Sequence, residues 1–413
     1  MQHAFTPMRG DLTTGLPRPL LGLRITPFDD GRESGRYLIE SENGNFVVND
    51  RMRCLIEALA AHSSMSALKA HLEVGAHATL DEADISAAIT WLPQSLFVEA
   101  PREPQKTPFH FSRSLLPAKQ VQRIAQHLRF LYSPVVMTII GVVFSLWLPW
   151  LIEGLPRGLG FHLTPGGLLF FALGVCIMAF LHEAGHAAAC AWYGVPSGEI
   201  GFGLYLIFPV FYTDVTKAWR LSRHQRAVVD LGGIYFQLIL IAALVPLAHA
   251  RGGTDWLYFF ILFNFYVILH NLNPLFKMDG YWLFSDLAGV PNLHRRTWSI
   301  FREVVLGRAA SAPDSPWNET RRPLIYGYAL AVLGYAAFIG TTLPRWYAAQ
   351  LVPYPAIASG HLHAIATAWG AAEYAAGLAA LGHLAGVSFV PALIVALPVS
   401  WIVRGSRRLL CQK

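Results

Sequence analysis

The five residues from His182 to His186 (His-Glu-Ala-Gly-His) place two imidazoles and a carboxylate inside the apolar run from Leu168 to Trp192. Ionisable side chains are costly at membrane depth, so this placement requires a chemical reason. Residues four positions apart share one face of a helix, and His182 and His186 can therefore hold one zinc ion. Glu183 would lie beside the metal and accept a proton from an attacking water molecule, which is the chemistry of metal-dependent hydrolysis.

A second polar group, Asn273-Pro274 and then Lys277-Met278-Asp279-Gly280, follows a later apolar stretch. A helix broken by proline at membrane depth, next to a carboxylate, is tolerated where it faces protein or a water-filled cavity. A catalytic zinc ion takes three protein ligands and keeps one open position. The sequence therefore predicts one Zn²⁺ per chain, held by His182, His186 and Asp279.

Composition indicates a chain that lies mostly in lipid, since 54% of the residues are hydrophobic and only 14% are charged. We expect about six membrane-spanning helices of the usual length of roughly 20 residues. The predicted spans are Phe130 to Ile152, Gly167 to Trp192, Ala227 to Ala248, Trp256 to Leu272, Leu324 to Leu343, and one crossing within Leu362 to Val403.

The basic residues predict the orientation. With six crossings, 19 Lys and Arg residues beyond residue 110 fall on one side of the membrane and three on the other, so we expect both termini in the cytoplasm. No cleavable secretory signal is recognisable, because the first 110 residues are polar. The four cysteines show no paired spacing, which argues against a disulfide framework or a cysteine-based metal site.

The segment from Pro19 to Ala100 predicts a small domain of mixed structure. A hairpin around Asn43-Gly44 is followed by three helices that begin near Asn49 or Asp50, Ser63 or Ser64, and Asp81, and then by an extended Leu96-Phe97-Val98. This order suggests a winged-helix-like fold. Residues 1–110 contain 10 Lys and Arg against 14 Asp and Glu, a net charge of −4, which opposes nucleic-acid binding.

The paired motifs, His182 to His186 with Asn273-Pro274 and Asp279-Gly280, resemble the site-2 protease family of intramembrane zinc metalloproteases over about Arg113 to Trp298. The resemblance implies that His182, His186 and Asp279 bind zinc, and that Glu183 is the general base. It also implies that Asn273 positions the substrate or stabilises the oxyanion. The loops after the second and third spans are too short for a PDZ domain, which weakens a signalling role.

The spacing from Asn273-Pro274 to Asp279 is similar to that of a peptide-maturation subgroup of this family, in which Lys277 is typical. Lys277 either assists catalysis or contacts lipid phosphates. The stretch from Phe208 to Asp214, which includes Tyr212, is also similar to a stretch of that subgroup. The alternating Leu204, Leu206 and Phe208 form either an edge strand that binds an extended substrate or part of a structural loop.

The N-terminal segment, over about Arg24 to Glu99, resembles the PqqD-like RiPP recognition element, which binds the leader of a ribosomally made precursor peptide. That resemblance implies binding by β-augmentation, in which the peptide joins the sheet as a further strand. The alternative is a cytoplasmic cap that only stabilises the enzyme.

These observations predict a multi-pass α-helical membrane protein with a site-2 protease-like core and an N-terminal α+β winged-helix-like cytoplasmic domain. The predicted domains are a peptide-recognition domain (1–103), a linker with a juxtamembrane amphipathic helix (104–129), the zinc metalloprotease core (130–298), and C-terminal transmembrane helices with a basic tail (299–413). The helix in the linker either lies in the lipid headgroups or simply continues the first span.

We expect hydrolysis of a peptide bond near the cytoplasmic leaflet of a bacterial cell membrane, with removal of the leader from a precursor peptide. Three alternatives remain open: regulated intramembrane proteolysis of a signalling protein, a non-catalytic immunity or export component, and, least favoured, a zinc transporter. The expected partners are the precursor peptide and the lipid bilayer, with no nucleic acid. The sequence does not indicate the oligomeric state.

Overall fold

The structure is a computed structural model, and the chain forms two compact units, Met1–Arg295 and Arg296–Lys413. The structure describes residues 16–19, 22–30, 35–41, 44–76, 79–93, 96–97, 109–153, 165–205, 208–251, 255–273, 276–289, 293, 322–384 and 388. The basic tail, and residues 385–387 and 389–403 of the last predicted crossing, lie outside this part of the chain. The domain boundaries predicted at residues 103, 129 and 298 stay predictions.

The first unit begins with a three-stranded antiparallel sheet packed against three helices. The elements are β1 (Arg24–Pro27), β2 (Arg36–Ser41), β3 (Gly44–Asn49), α1 (Asp50–Ala61), α2 (Met65–Ala76) and α3 (Glu82–Thr90). The strand order is β1-β2-β3, so β2 is central. Leu55 and Ile56 of α1, Leu68 of α2 and Ile89 of α3 meet the inner face of the sheet in one hydrophobic core.

The predicted helix starts agree with the structure. Asn49 caps α1 by accepting a hydrogen bond from the Met52 amide at 2.8 Å, and Asp81 caps α3. Strand β1 was not predicted. The expected closing strand is only a single bridge between Pro19 and Phe97, and Val98 lies outside the described residues.

The rest of the first unit is a helical bundle with a second small sheet. Its elements are β4 (Phe109–Leu116), α4 (Ala118–Leu128), α5 (Pro134–Glu153), α6 (Pro165–Trp192), β5 (Ile200–Tyr205), β6 (Phe208–Thr213), α7 (Arg223–Asp230), α8 (Gly232–Ala250), α9 (Asp255–Leu272) and α10 (Asp279–Ala288). Short 3₁₀ turns cover Arg129–Tyr132 and Thr216–Arg220. The second sheet is antiparallel, in the order β4-β5-β6.

Three helices in the described residues are long and apolar enough to cross a membrane: Pro134–Glu153, Leu169–Trp192 and Gly232–Ala250. Shorter apolar helices cover Trp256–Leu272 and Tyr374–Leu384. The exposed face of α5 carries Val135, Ile139, Val142 and Leu146, an apolar surface of the kind that faces lipid. These helices are consistent with a membrane protein, and the number of six crossings stays a prediction.

The third predicted span differs at its start. The segment from Ala227 was expected to be one continuous helix, but Leu231 separates α7 from α8. The apolar α8 begins at Gly232 and contacts α6 closely.

The linker helix α4 is amphipathic, but its apolar face packs against the protein. Val121 and Ala125 of α4 form one buried cluster with Ala187 of α6 and Ile200 of β5. A 3₁₀ turn and Ser133 separate α4 from α5, so the alternative of one continuous helix is wrong.

The second unit is helical in its described part. Helix α11 covers Arg322–Leu351, α12 covers Tyr354–Gly370, and α13 covers Tyr374–Leu384. The Tyr354 hydroxyl lies 2.8 Å from the hydroxyl of Ser388, which links the start of α12 to the chain beyond α13.

Candidate metal centre

Three side chains predicted as metal ligands come together where α6 meets the start of α10. The Nε2 atoms of His182 and His186 lie 3.2 Å apart. Asp279 places Oδ2 3.0 Å from Nε2 of His182 and Oδ1 3.5 Å from Nε2 of His186. All three ligand atoms lie within 4.8 Å of one another, so the group could hold a metal ion.

The hydrogen bonds behind the imidazoles determine which ring nitrogens face the centre as acceptors. Nδ1 of His186 lies 2.7 Å from the carbonyl oxygen of Val229, and Nδ1 of His182 lies 3.0 Å from Oε1 of Gln237. Both oxygens only accept hydrogen bonds, so each Nδ1 carries the proton. In the neutral rings, two Nε2 lone pairs then face each other and a carboxylate, which is a donor set that fits a divalent cation.

Two glycines make this arrangement possible. The ring of His182 lies flat against Gly233 of α8, and a Cβ atom at that position would overlap the imidazole. Gly280, next to Asp279, packs against the backbone of Leu272 at the end of α9 so closely that a side chain has no room. The Asp-Gly pair therefore allows α10 to start beside α9 with its carboxylate at the two histidines.

Helices α6 and α8 cross at close range beside the centre. A Cβ on Gly185 would overlap the Gly232 carbonyl, so small residues on both helices bring the two backbones together. The buried Tyr132 hydroxyl donates to the carbonyl oxygen of Gly185 at 3.0 Å and also lies 3.4 Å from that of Gly232. Burial raises the pKa of Tyr132 well above its usual value, so this hydroxyl remains a donor.

Glu183 is buried at the same level of α6 and connects the helix to the second sheet. The Thr213 hydroxyl, at the end of β6, donates to the Glu183 carbonyl oxygen at 3.0 Å. This bond holds the end of the hairpin against the helix turn that carries both histidines.

The residues predicted to form either an edge strand or a loop belong to two paired strands: Leu204 lies in β5 and Phe208 begins β6, while Leu206 lies outside the described residues. Residues 208–213 form β6, which pairs with β5 from Ile200↔Thr213 to Tyr205↔Phe208. Tyr212 donates to Oε1 of Glu199 at 3.1 Å, and burial, together with this bond, raises the pKa of its hydroxyl. The side chain of Phe208 lies outside what the structure describes.

Asn273 and Lys277 flank the break between α9 and α10. Asn273 follows the last residue of α9 and is half-buried, and its backbone N–H donates to the His270 carbonyl oxygen at 3.2 Å. Lys277 is exposed, two residues before Asp279. Pro274 lies outside the described residues. The roles assigned to Asn273, Lys277, Phe208 and Tyr212 stay predictions.

Gln237 and Asn264 lie behind this centre and were not predicted from the sequence. Both are amides in otherwise apolar stretches, and that isolation was the available signal. The Val229 carbonyl was not predicted either, because backbone contacts between helices leave no trace in residue types.

The acidic N-terminal domain contacts the basic segment that follows β6. Glu40 of β2 accepts from Nε of Arg220 at 2.7 Å, and Oδ2 of Asp29 accepts from the Arg223 amide at 3.1 Å. Phe28 stacks on Trp219 with ring centroids 5.7 Å apart. The domain therefore docks on the loop that connects the hairpin to α7.

One curated protein is similar in sequence to part of this chain. The "Putative peptide zinc metalloprotease protein YydH" of Bacillus subtilis (strain 168) is 28% identical over 132 residues, which is 31% of this chain and 52% of that protein. The chain thus spans about half the length of this relative. No family model and no solved structure gives a significant match to the chain.

Proposed function

We propose that this protein is a zinc metallopeptidase of the site-2 protease type, which hydrolyses a peptide bond of a precursor peptide at the cytoplasmic side of a membrane. The observation that carries this proposal is the convergence of His182, His186 and Asp279, with Glu183 next to the first histidine on α6. The similarity to a protein named as a peptide zinc metalloprotease supports the same chemistry.

One zinc ion would be held by Nε2 of both histidines and by the carboxylate of Asp279. Bound there, zinc supplies Lewis-acid polarisation of the scissile carbonyl and lowers the pKa of water. Two neutral imidazoles and one carboxylate leave a net positive centre with an open position, as hydrolysis requires.

The residues around this centre have separate tasks. Glu183 accepts a proton from the attacking water and delivers it to the leaving amine. Asn273 supplies an amide donor to the substrate backbone or to the developing oxyanion. Burial of Glu183 and both histidines in the helix bundle limits the access of bulk water.

The second sheet offers a place for an extended substrate. Strand β6 pairs with β5 on one side, and no strand pairs with its other edge among the described residues. A peptide added to this edge would lie beside the helix turn of Glu183, because Thr213 ties β6 to that turn. Tyr212, Phe208 and Lys277 are the residues we assign to substrate contact.

The N-terminal domain would recruit the precursor through its leader. Its sheet has outer strands β1 and β3, each with one edge that pairs with no strand in the described residues. Such an edge can accept a peptide strand, and the net negative charge of residues 1–110 argues against nucleic acid as the ligand. The domain then delivers the peptide to the segment that follows β6, on which it docks.

A bacterial cytoplasmic membrane is the location we propose, with both termini inside. The apolar helices and the distribution of basic residues support it.

Mass spectrometry of a co-expressed precursor peptide, encoded by a neighbouring gene, tests this function. We expect leader removal by the wild type, none by Glu183→Gln with zinc retained, and loss of both cleavage and zinc in Asp279→Ala. Cleavage by Glu183→Gln would rule out Glu183 as the general base.

The same experiment separates the alternatives. Cleavage of a membrane-bound protein within a transmembrane helix, without affinity for a soluble leader, would indicate regulated proteolysis. A biological function that survives Glu183→Gln would indicate an immunity or export component.

A further inference from the structure

Two buried amide side chains lie behind the ring of His182, at the edge opposite Nε2. Gln237 of α8 is 1% exposed and places Oε1 3.0 Å from Nδ1 of His182. Asn264 of α9 is fully buried, and its Oδ1 accepts from Nε2 of Gln237 at 2.9 Å. Three side chains from three helices thus form one hydrogen-bonded chain.

The donors and acceptors in this series of hydrogen bonds are arranged in one direction. Because Asn264 presents an acceptor, Gln237 must turn its NH₂ group toward α9 and its oxygen toward His182. The reversed amide would donate to Nδ1, and the ring proton would then move to Nε2. A protonated Nε2 has no lone pair for a metal, so the orientation of one amide determines whether His182 can be a ligand.

Burial of these amide groups costs free energy, so their presence is not explained by filling the space between the helices. Amide groups in apolar helices need partners, and Nδ2 of Asn264 has no hydrogen-bond partner among the described residues. Hydrocarbon side chains would fill the same space between α8 and α9 without this cost. Gly233 lies one helical turn before Gln237, on the same face, and provides the room for the ring that Gln237 orients.

We propose that Gln237 and Asn264 are positioning residues for the metal centre: Asn264 orients the Gln237 amide, and Gln237 sets the tautomer and ring angle of His182. The inference rests on the proposed zinc site. Neither residue would contact the metal or the substrate. The tautomer of His182 would depend, through Gln237, on Asn264 of α9.

Zinc affinity of the purified full-length protein, measured by competition with a chelator, tests this relay. We expect Gln237→Met to weaken Zn²⁺ binding by about 10- to 100-fold. Gln237→Glu keeps an acceptor for Nδ1, and Nδ2 of Asn264 can turn to donate to it, so affinity within about threefold of the wild type is expected.

A double-mutant cycle shows whether Asn264 acts through Gln237. Asn264→Leu should weaken zinc binding in the wild type but cause no further loss in Gln237→Met. Equal losses in both backgrounds would overturn the relay. Asn264→Leu in the wild-type background also tests the orientation of His182 if Gln237→Met does not fold.

Two readouts distinguish positioning from a purely structural role. First, Gln237→Met should alter the unfolding temperature of the metal-free protein less than it alters the rise in unfolding temperature that zinc causes. Second, the visible absorption of the Co²⁺-loaded protein should change in Gln237→Met but not in Gln237→Glu. Wild-type affinity and an unchanged Co²⁺ spectrum in Gln237→Met would overturn this inference alone. Failure of the wild type to bind zinc would overturn the proposed function as well.

Discussion

The Nε atom of Arg226 lies 3.0 Å from Oδ1 of Asp286, and this ion pair joins α7 to α10. Arg226 is only 4% exposed, and it also donates to the carbonyl oxygens of Leu221 at 2.8 Å and Asp29 at 3.0 Å. Its guanidinium lies over the Phe28 ring, 4.7 Å from the centroid. A single buried cation therefore connects the N-terminal domain with the helix that starts at Asp279.

Position along α10 makes this connection relevant to the metal centre. Asp286 follows Asp279 by seven residues, two helical turns, so both carboxylates lie on one face of the helix. The ion pair thus holds the face of α10 that carries the third metal ligand.

We expect Arg226→Ala to destabilise the protein by on the order of 3 kcal/mol, because it leaves the Asp286 carboxylate and two carbonyl groups without their cation. Thermal unfolding in detergent measures this change. The matched control is Arg53→Ala, which removes exposed pairs with Asp50 and Glu57 on α1 and should cost no more than about 1 kcal/mol. Equal effects of the two variants would contradict a connecting role for Arg226.

Asp230 and Asp286 predict a dependence of stability on pH. Burial, and next the charge of Asp286, raise the pKa of Asp230 well above its usual value. The folded protein keeps this proton where the unfolded chain releases it. The contribution to stability is therefore full below the ordinary Asp pKa of about 4 and is lost as the pH rises through the folded value.

Asp230→Asn should consequently raise the unfolding temperature near pH 8 and flatten its decline above about pH 4. The amide keeps the shape of the carboxyl group and can still donate to Asp286. Asp84→Asn, at an exposed position of α3, serves as the control and should leave the profile unchanged. A wild-type protein whose stability rises over this pH range would disprove the assignment.

Gly233→Ala should lower zinc affinity by about tenfold or more, because its methyl group would displace the His182 ring from its place against α8. Chelator competition measures the loss. Gly141→Ala on α5 adds a methyl group where nothing lies within 4 Å, so it should leave zinc affinity unchanged. Normal zinc binding by Gly233→Ala would show that the ring can shift without leaving the metal.

Tyr132→Phe removes the hydroxyl that bridges α6 and α8, and should cost about 1 kcal/mol of stability. Unfolding temperature is the measurement. Tyr266→Phe, at an exposed position of α9, is the comparison and should have no measurable effect. The idea of a stabilising bridge fails if Tyr132→Phe unfolds at the same temperature as the wild type.

Local patterns in the sequence determined much of the fold and of the centre. Helical periodicity places His182 and His186 on one face whatever surrounds them, because i and i+4 positions are neighbours within a single helix. The starts of α1 and α3 follow from Asn49 and Asp81, since a capping side chain bonds to its own helix. Asp279 could be predicted as a metal ligand because a carboxylate at membrane depth requires a cation.

Tertiary structure alone decided how these elements meet. The Gln237 amide and the Val229 carbonyl select the tautomers of the two histidines, and both come from helices far along the chain from α6. Strand β4 joins the hairpin of β5 and β6, and Arg226 joins the N-terminal domain to α10. These contacts depend on crossing angles and register between elements, which residue types and spacing within one element do not contain.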